Sequence, residues 1–178
     1  MNSTKLNWNV VLLTILVATI GWAAVAHAQP KAEIFGGYQF TRVGGPGGVN
    51  ANGWNLAITG NVNRWFGVTA DFSGAYKSMG GINANAYTYA FGPTITRRQE
   101  RVNPFAHILL GGFRAAAGFG GSSTGTSGYA MITGGGIDVK AAPRIAVRVV
   151  QVDWIMWHTQ GYTEKKNARI STGLVFRF

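Results

Sequence analysis

The residues that could support catalysis are few and far apart in the sequence. His107 and His158 are the two histidines beyond residue 28. A serine hydrolase would need a histidine, a serine and a carboxylate aligned as a triad. Glu164 follows His158 closely, but no His-x-Ser spacing exists, and Ser171 falls on the polar face of its segment. We therefore expect no enzyme, and a lipid-modifying hydrolase built around His158 is kept as a minor alternative.

Metal, cofactor and phosphate sites are not indicated either. Catalytic zinc needs three protein ligands, whereas the sequence beyond residue 28 offers two separated histidines and no cysteine. The run GFGGSSTG at 118–125 lacks the Lys-Ser/Thr pair of a phosphate-binding loop. Its composition predicts a mobile loop instead. We expect no metal and no cofactor.

The strongest candidate site is a set of charged residues on the polar faces of alternating segments. The set contains both signs, so its members can pair inside a closed structure. Glu33 and Arg177 form the sharpest pair, because they lie near the same end of the first and last segments. An unpaired buried charge is costly, which predicts an ion pair between them. The full set, predicted to form a lumenal charge network, is Glu33, Asp71, Lys77, Arg148, Arg169 and Arg177.

The amino-acid composition limits the kind of secondary structure that can position these residues, and it is unusual. Of 178 residues, 12% are charged, about half of the usual ~25%, and 26 are glycine. An aromatic content of 12% argues against a disordered chain, and the glycines argue against long helices. The net charge of +10 would suit an anionic partner, so the destination of the chain matters.

Residues 1–28 have the features of an export signal. Lys5 is their only charge, an apolar stretch runs from 10 to 20, and Ala26-His27-Ala28 provides a small-x-small cleavage pattern. The apolar run 10–26 is at the lower limit for a spanning helix, so a retained anchor is the alternative. We predict a signal peptide at 1–28 and one mature domain at 29–178, with net charge +9. An exported chain does not meet cytosolic nucleic acid, so no nucleic-acid partner is expected.

The mature sequence alternates between apolar and polar residues with a period of two. This period is typical of β-strands with one apolar and one polar face. One segment changes phase between Arg148 and Gln151, which predicts a β-bulge. Strands of roughly 11 residues would fit the ~9–11 that a tilted membrane-spanning strand needs. The eight predicted strands lie within 32–41, 54–63, 66–77, 87–96, 104–115, 129–140, 145–157 and 169–178.

The connections between these segments alternate between short and long, which is the pattern of an outer-membrane barrel. We predict an all-β fold, a closed antiparallel eight-stranded up-and-down transmembrane barrel. Glycines would relieve bending as the sheet closes. The predicted short turns are 64–65, 97–102 and 141–144, and the predicted long loops are 42–53, 78–85, 116–127 and 158–167.

A soluble barrel that binds an apolar ligand has the same period with its faces reversed, and period alone does not separate the two. The low charge content and the paired signs of the polar face favour the lipid-embedded barrel. Aromatic residues near the strand ends resemble the interfacial girdles of such barrels. These residues, predicted to lie on the apolar face, are Tyr38, Phe66, Tyr76, Tyr87, Trp154, Trp157 and Phe178.

Several motifs carry a resemblance to a known family. They are EIFGGY at 33–38, YAFGP at 89–93, GGGIDV at 134–139, RVVQVDW at 148–154 and RISTGLVFRF at 169–178. Across its mature part the chain resembles the small eight-stranded outer-membrane barrels that include the outer membrane protein A transmembrane domain and the porin-family barrel domains. In that family a terminal strand ending in Phe looks like the signal read by the barrel-assembly machinery. The resemblance carries this role to Leu174, Phe176 and Phe178.

The resemblance implies an integral protein of the cell outer membrane of a Gram-negative-type bacterium. Because the interior of an eight-stranded barrel is only wide enough for side chains to fill, we expect a non-enzymatic structural or surface-interaction role. A narrow, porin-like passive channel is the main alternative. The implied partners are outer-membrane lipids and the barrel-assembly machinery during insertion. Lys165 and Lys166, on a predicted outer loop, could meet lipopolysaccharide phosphates as point charges. Arg97, Arg98 and Arg101 share a predicted periplasmic turn with Glu100.

Overall fold

The chain forms a closed barrel of eight antiparallel strands in sequence order, which confirms the predicted fold class. The structure is a computed structural model that describes residues 30–44, 48–119 and 122–178, so the predicted signal peptide lies outside the described residues. No helix in those ranges is long and apolar enough to cross a membrane. The strands are β1 (Ala32–Val43), β2 (Val49–Asn61), β3 (Phe66–Met79), β4 (Ile82–Thr96), β5 (Val102–Phe119), β6 (Ser122–Ala142), β7 (Ile145–Thr159) and β8 (Tyr162–Arg177).

The barrel closes where β1 pairs with β8. Glu33 lies opposite Arg177 in this ladder, and the Phe178 N–H donates to the Ala32 carbonyl at 2.9 Å. Pro30 and Phe178 therefore lie at one end of the barrel, together with the connections at 62–65, 97–101 and 143–144. We call this the terminal end. The opposite or distal end carries the connections that follow Val43, Met79, Phe119 and Thr159.

The alternation of the sequence becomes an apolar outer wall and a polar interior. On β8, Arg169 and Ser171 are buried in the lumen while Ile170 and Leu174 are exposed outside. Successive side chains of a strand point to opposite faces, so every strand divides its residues in this way. The arrangement is the reverse of a soluble barrel, whose apolar face points inward.

The predicted β-bulge in β7 is confirmed. Ile137 of β6 pairs with Val150 and its neighbour Asp138 pairs with Arg148, so Val149 has no partner in this ladder. The extra residue lets Arg148 and Gln151 both face the lumen although they are three positions apart. The bulge resolves the phase change in the sequence.

The alternation within β7 corrects the prediction for Trp157. Trp157 lies two residues after the buried Ile155 and in unbroken register with β6, so its side chain points inward like that of Ile155. Its ring stacks on Phe113 with the centroids 4.8 Å apart. Trp157 therefore belongs to the interior and not to the outer aromatic girdle in which it was predicted to lie.

The predicted long loops are also wrong, because most of their residues extend the strands. The strands have 12 to 21 residues, and the β3–β4 turn consists of Gly80 and Gly81, both with positive φ. The glycine-rich run 118–125, predicted as a mobile loop, belongs to β5 and β6 except for 120–121, which lie outside the described residues. Backbone hydrogen bonds form regardless of side chain, so Gly, Ser and Thr continue the ladder here.

The interior is layered along the barrel axis. The paired charged side chains lie in the half nearest the terminal end, together with a buried apolar cluster of Phe35, Ala57, Ala146 and Val175. Above them lies an apolar layer of Ala90, Leu109, Ile132 and Ile155, each at most 2% exposed. Phe113 and Trp157 cover this layer towards the distal end.

Candidate functional site: the lumenal charge network

The charged side chains of the lumen, except Lys77, form one connected network in two clusters. Gln151 joins the clusters, because its side-chain oxygen accepts from Arg148 at 2.7 Å and its side-chain nitrogen donates to Asp153 at 2.7 Å. Alternation brings these groups inward from β1, β3, β5, β6, β7 and β8. The network therefore depends on barrel closure and does not exist in any single hairpin.

Arg169 is the centre of the inner cluster. Its Nε donates to Asp153 at 2.8 Å, and its two terminal nitrogens donate to the two oxygens of Asp71 at 2.9 and 3.2 Å. All three side chains are at most 1% exposed. The Asn55 amide also donates to Asp71 at 2.8 Å. This planar, two-sided arrangement uses the geometry that guanidinium groups offer to carboxylates.

His107 joins the inner cluster across a glycine. His107, Gly134 and Asp153 lie side by side on β5, β6 and β7, and the His107 Nε2 lies 2.9 Å from the Asp153 Oδ1. The two side chains meet because the residue between them has no side chain. A methyl group at Gly134 would overlap the Asp153 carboxylate.

Arg148 is the centre of the outer cluster, nearer the terminal end. Its Nε and Nη2 donate to the two oxygens of Asp138 at 2.8 and 3.1 Å. Its guanidinium carbon lies 4.2 Å from the ring centroid of Phe35 and 4.1 Å from that of Phe105. The cation is thus held between two aromatic faces, which attract it electrostatically.

Glu33 completes the outer cluster. Its Oε1 accepts from the Arg98 Nη1 at 2.7 Å and lies 3.2 Å from the Arg177 Nε. Arg177 also lies 3.9 Å from Asp138. Arg98 lies in the predicted turn with Arg97 and Arg101, and its side chain reaches back to Glu33 at this end of the lumen.

The structure brings five of the six predicted network residues together. Glu33, Asp71, Arg148, Arg169 and Arg177 all make ion pairs in the lumen. Lys77 does not join them. Its side chain faces the interior near the distal end and makes no ion pair or hydrogen bond to any described residue. The alanines around it, beyond the apolar layer, separate it from the acidic groups.

The sequence prediction omitted four members of the network. Asp138 and Asp153 are the acidic partners of the predicted arginines, and Arg98 and His107 complete the two clusters. Asp138 was detectable, since Arg148 and Arg169 required more acidic partners than the predicted set contained. Asp153 was hidden by the bulge, which reverses its apparent phase relative to Arg148.

The network neutralises charge and offers no reactive group. The His107 Nε2 is engaged by a buried carboxylate. His158 lies on β7, not in the predicted loop, and its Nδ1 lies 2.7 Å from the exposed Thr163 hydroxyl, whereas Ser171 is buried in the lumen. These groups cannot align as a triad. Among the described residues, no group of three or more His, Asp or Glu could hold a metal ion.

The outer wall carries the remaining predicted residues. Leu174, Phe176 and Phe178 lie exposed on the outer face of the closing seam. Trp54, Tyr76 and Tyr87 form an exposed aromatic cluster, in which the indole N–H of Trp54 donates to the Tyr76 hydroxyl at 3.1 Å.

Comparison with known proteins supports the fold. No protein-family model matches the chain, and no curated protein matches its sequence. Neisserial surface protein A superposes with a TM-score of 0.72 and 11% identity, covering 85% of this chain and 100% of that one. The attachment invasion locus protein Ail of Yersinia pestis gives 0.61 and 19%, covering 84% and 99%. The N-terminal barrel domain of Pseudomonas aeruginosa OprF gives 0.57 and 10%, covering 84% and 99%.

These similarities confirm the predicted resemblance to small eight-stranded barrels at the level of fold. With identities of 10 to 19%, the similarity concerns architecture. A shared fold does not by itself transfer a function, so the function must be argued from this chain's own wall, lumen and ends.

Proposed function

We propose that this chain is an integral outer-membrane barrel with a structural or surface-interaction role and no enzymatic activity. The observation that carries the proposal is the division between an apolar, exposed outer wall and a charged, internally paired lumen. Water-soluble monomers rarely expose continuous apolar patches beyond a few hundred Å². A wall of this kind needs lipid around it.

The apolar wall extends around the barrel. Every strand contributes at least one large apolar side chain that is more than a third exposed. Representative residues from β1 to β8 are Tyr38, Ile58, Val68, Phe91, Leu110, Ile137, Val152 and Leu174. A barrel satisfies its backbone polar groups within the sheet, which is the condition for crossing lipid with strands.

The two ends of the sequence support export and assembly. Residues 1–28 provide the proposed cleavable signal peptide, and Leu174, Phe176 and Phe178 provide the proposed recognition strand for the barrel-assembly machinery. The side chains of Leu174, Phe176 and Phe178 face outward at the seam between β1 and β8. In this position they are accessible to a partner before the seam closes.

The lumen opposes the channel alternative. The space that the charge network leaves between residues such as Glu33, Asp71 and His107 has a volume of about 10 Å³. This is about the space that one water molecule needs. Beyond it, Leu109 and Ile132 belong to a buried apolar cluster inside the barrel, against which Trp157 packs. A barrel filled in this way anchors and presents its ends more readily than it conducts.

The distal end is the proposed interaction surface. The strand extensions there carry five basic residues, Arg42, Lys77, Arg114, Lys165 and Lys166, against one acidic residue, Glu164. Ail, which shares the fold, has a crystal structure in complex with the heparin analogue sucrose octasulfate, a polyanion. We extend this chemistry to the phosphates of lipopolysaccharide, with Lys165 and Lys166 as point charges.

Cell fractionation combined with heat-modifiable gel mobility tests the proposal. We expect the mature chain in the outer-membrane fraction, migrating differently in detergent gels before and after boiling. A soluble barrel would appear in the periplasmic fraction and would purify without detergent. That result would overturn the proposal, whereas a membrane-bound chain with large, steady conductance would favour the channel.

A further inference from the structure

The distal end of the lumen contains an apolar cup that neither the charge network nor the outer wall explains. The cup has a volume of about 320 Å³. Ala75, Ala86 and Ala115 form one row across β3, β4 and β5, and the next row towards the opening contains Lys77. Trp157 lies at the floor. The interior of a barrel end that faces water is expected to be polar, and this one is not.

The floor and the opening of the cup differ in chemistry. At the floor, the buried indole N–H of Trp157 has no hydrogen-bond partner among the described residues. Nearer the opening, the ammonium group of Lys77 has no ion-pair or hydrogen-bond partner among the described residues. Alanine methyl groups line the wall between them. The cup thus combines an apolar body with a positive charge at one end.

We propose that this cup binds one amphipathic molecule from solution, with a single unbranched aliphatic chain and an anionic head group. The chain packs against the alanine rows and the head group pairs with Lys77. Because a methylene group occupies nearly the volume of a water molecule, ~30 Å³, the cup holds on the order of ten carbon atoms. Its size is at the lower end of the ~300–1,000 Å³ range of small-molecule pockets.

Small side chains are the feature that creates the space. Alanine is at each position of the row formed by residues 75, 86 and 115, where one larger residue would fill the interior. Packed interiors contain few voids larger than a water molecule. An interior of this volume, apolar and open at one end, has the form of a ligand pocket.

Titration with sodium decanoate tests the proposal. The folded protein is placed in phosphatidylcholine nanodiscs, and binding is followed by calorimetry and by tryptophan fluorescence. Empty nanodiscs give the background from partition into lipid. We expect saturable binding of one decanoate per barrel. The absence of saturable binding above the background would overturn the proposal. The same holds if phospholipid chains already occupy the cup and prevent decanoate from binding.

Two variants on one strand locate the site. Ala115→Phe fills the cup, whereas Ala106→Phe adds the same ring to the outer wall of β5. Heat-modifiable mobility shows that each variant is folded, and Ala86→Leu replaces Ala115→Phe if the latter does not fold. We expect Ala115→Phe to abolish saturable binding and Ala106→Phe to retain it. Equal binding by the two variants would overturn the location.

The head-group assignment has its own test. Lys77→Gln should weaken decanoate binding by about fivefold, the magnitude of one partly exposed ion pair. Binding of 1-decanol, which has the same chain without the charge, should remain unchanged. If Lys77→Gln weakens the binding of both ligands equally, or of neither, the assignment of Lys77 as the partner of the head group is wrong.

Discussion

Arg169 and Asp71 lie 98 residues apart in the sequence and form a two-pronged ion pair across the lumen, with N–O distances of 2.9 and 3.2 Å. Their strands, β8 and β3, are not neighbours in the sheet. The pair therefore spans the barrel interior instead of following its wall. Because neither side chain is more than 1% exposed, the pair acts as an internal brace whose loss leaves a buried charge unpaired.

Removing one partner of this brace should destabilise the barrel. We expect Asp71→Asn to lower the free energy of unfolding by about 3 kcal/mol, since breaking a buried ion pair typically costs ~3–5 kcal/mol and Arg169 keeps Asp153. Urea titration of the refolded protein in lipid vesicles, followed by tryptophan fluorescence, measures the change. Glu100→Gln, which removes an exposed carboxylate at the terminal end, is the matched control. Equal stabilities of the two variants would show that the ion pair between Arg169 and Asp71 does not stabilise the barrel.

A single methyl group should disrupt the inner cluster. We expect Gly134→Ala to separate His107 from Asp153, because the new methyl group occupies the position of the carboxylate. The free energy of unfolding should fall by about 1–3 kcal/mol, the range for overpacking an interior, and the same urea titration measures this change. Gly36→Ala is the control, since a methyl group there meets nothing within 4 Å. A stability of Gly134→Ala equal to that of Gly36→Ala would show that the cluster tolerates rearrangement.

The filled lumen predicts that the barrel does not conduct ions. We expect no large, steady conductance from the folded protein in planar bilayers, and none from Arg148→Gln. Removing the Arg148 charge opens part of the outer cluster, but the inner cluster around Arg169 and the buried apolar side chains of Leu109, Ile132 and Ile155 still occupy the lumen. Steady currents that change in Arg148→Gln would instead support the narrow channel.

The alternation of the sequence was sufficient to predict which face of most strands points inward. Ile170 and Arg169 lie on opposite faces, as their spacing indicated, and the phase change between Arg148 and Gln151 revealed a bulge. These features depend on the period of a single strand. A strand that buries one face specifies its orientation strongly, since a slip of one residue reverses every side chain.

Features that depend on contacts between distant strands could not be predicted in this way. Trp157 is a different case, because its alternation with Asp153 and Ile155 already placed it inward, and only its aromatic character had assigned it to the outer girdle. The predicted long loops failed because glycine and serine in long hairpins satisfy the same backbone ladder as β-branched residues. The isolation of Lys77 follows from alanines on three neighbouring strands, which are far apart in the sequence.

The basic distal end predicts salt-dependent binding to lipopolysaccharide. We expect the double substitution Lys165→Gln and Lys166→Gln to weaken retention on immobilised lipopolysaccharide, and the difference from the parent protein to disappear at high salt because exposed charges are screened. Lys140→Gln, which removes an exposed lysine at the terminal end, is the control. If Lys140→Gln weakens retention as much as the double substitution, the distal end is not the binding surface.

The C-terminal residue provides a test that separates stability from recognition. Phe178 and Phe91 are both on the outer wall, 64% and 62% exposed, so truncating either one removes a similar contact with lipid. We expect Phe178→Ala and Phe91→Ala to refold equally well in vesicles, because the apolar transfer energy lost is alike. In cells, only Phe178→Ala should reduce the folded outer-membrane fraction, measured by heat-modifiable mobility. Equal folded fractions for the two variants in cells would mean that Phe178 acts as one more lipid contact and is not read during assembly.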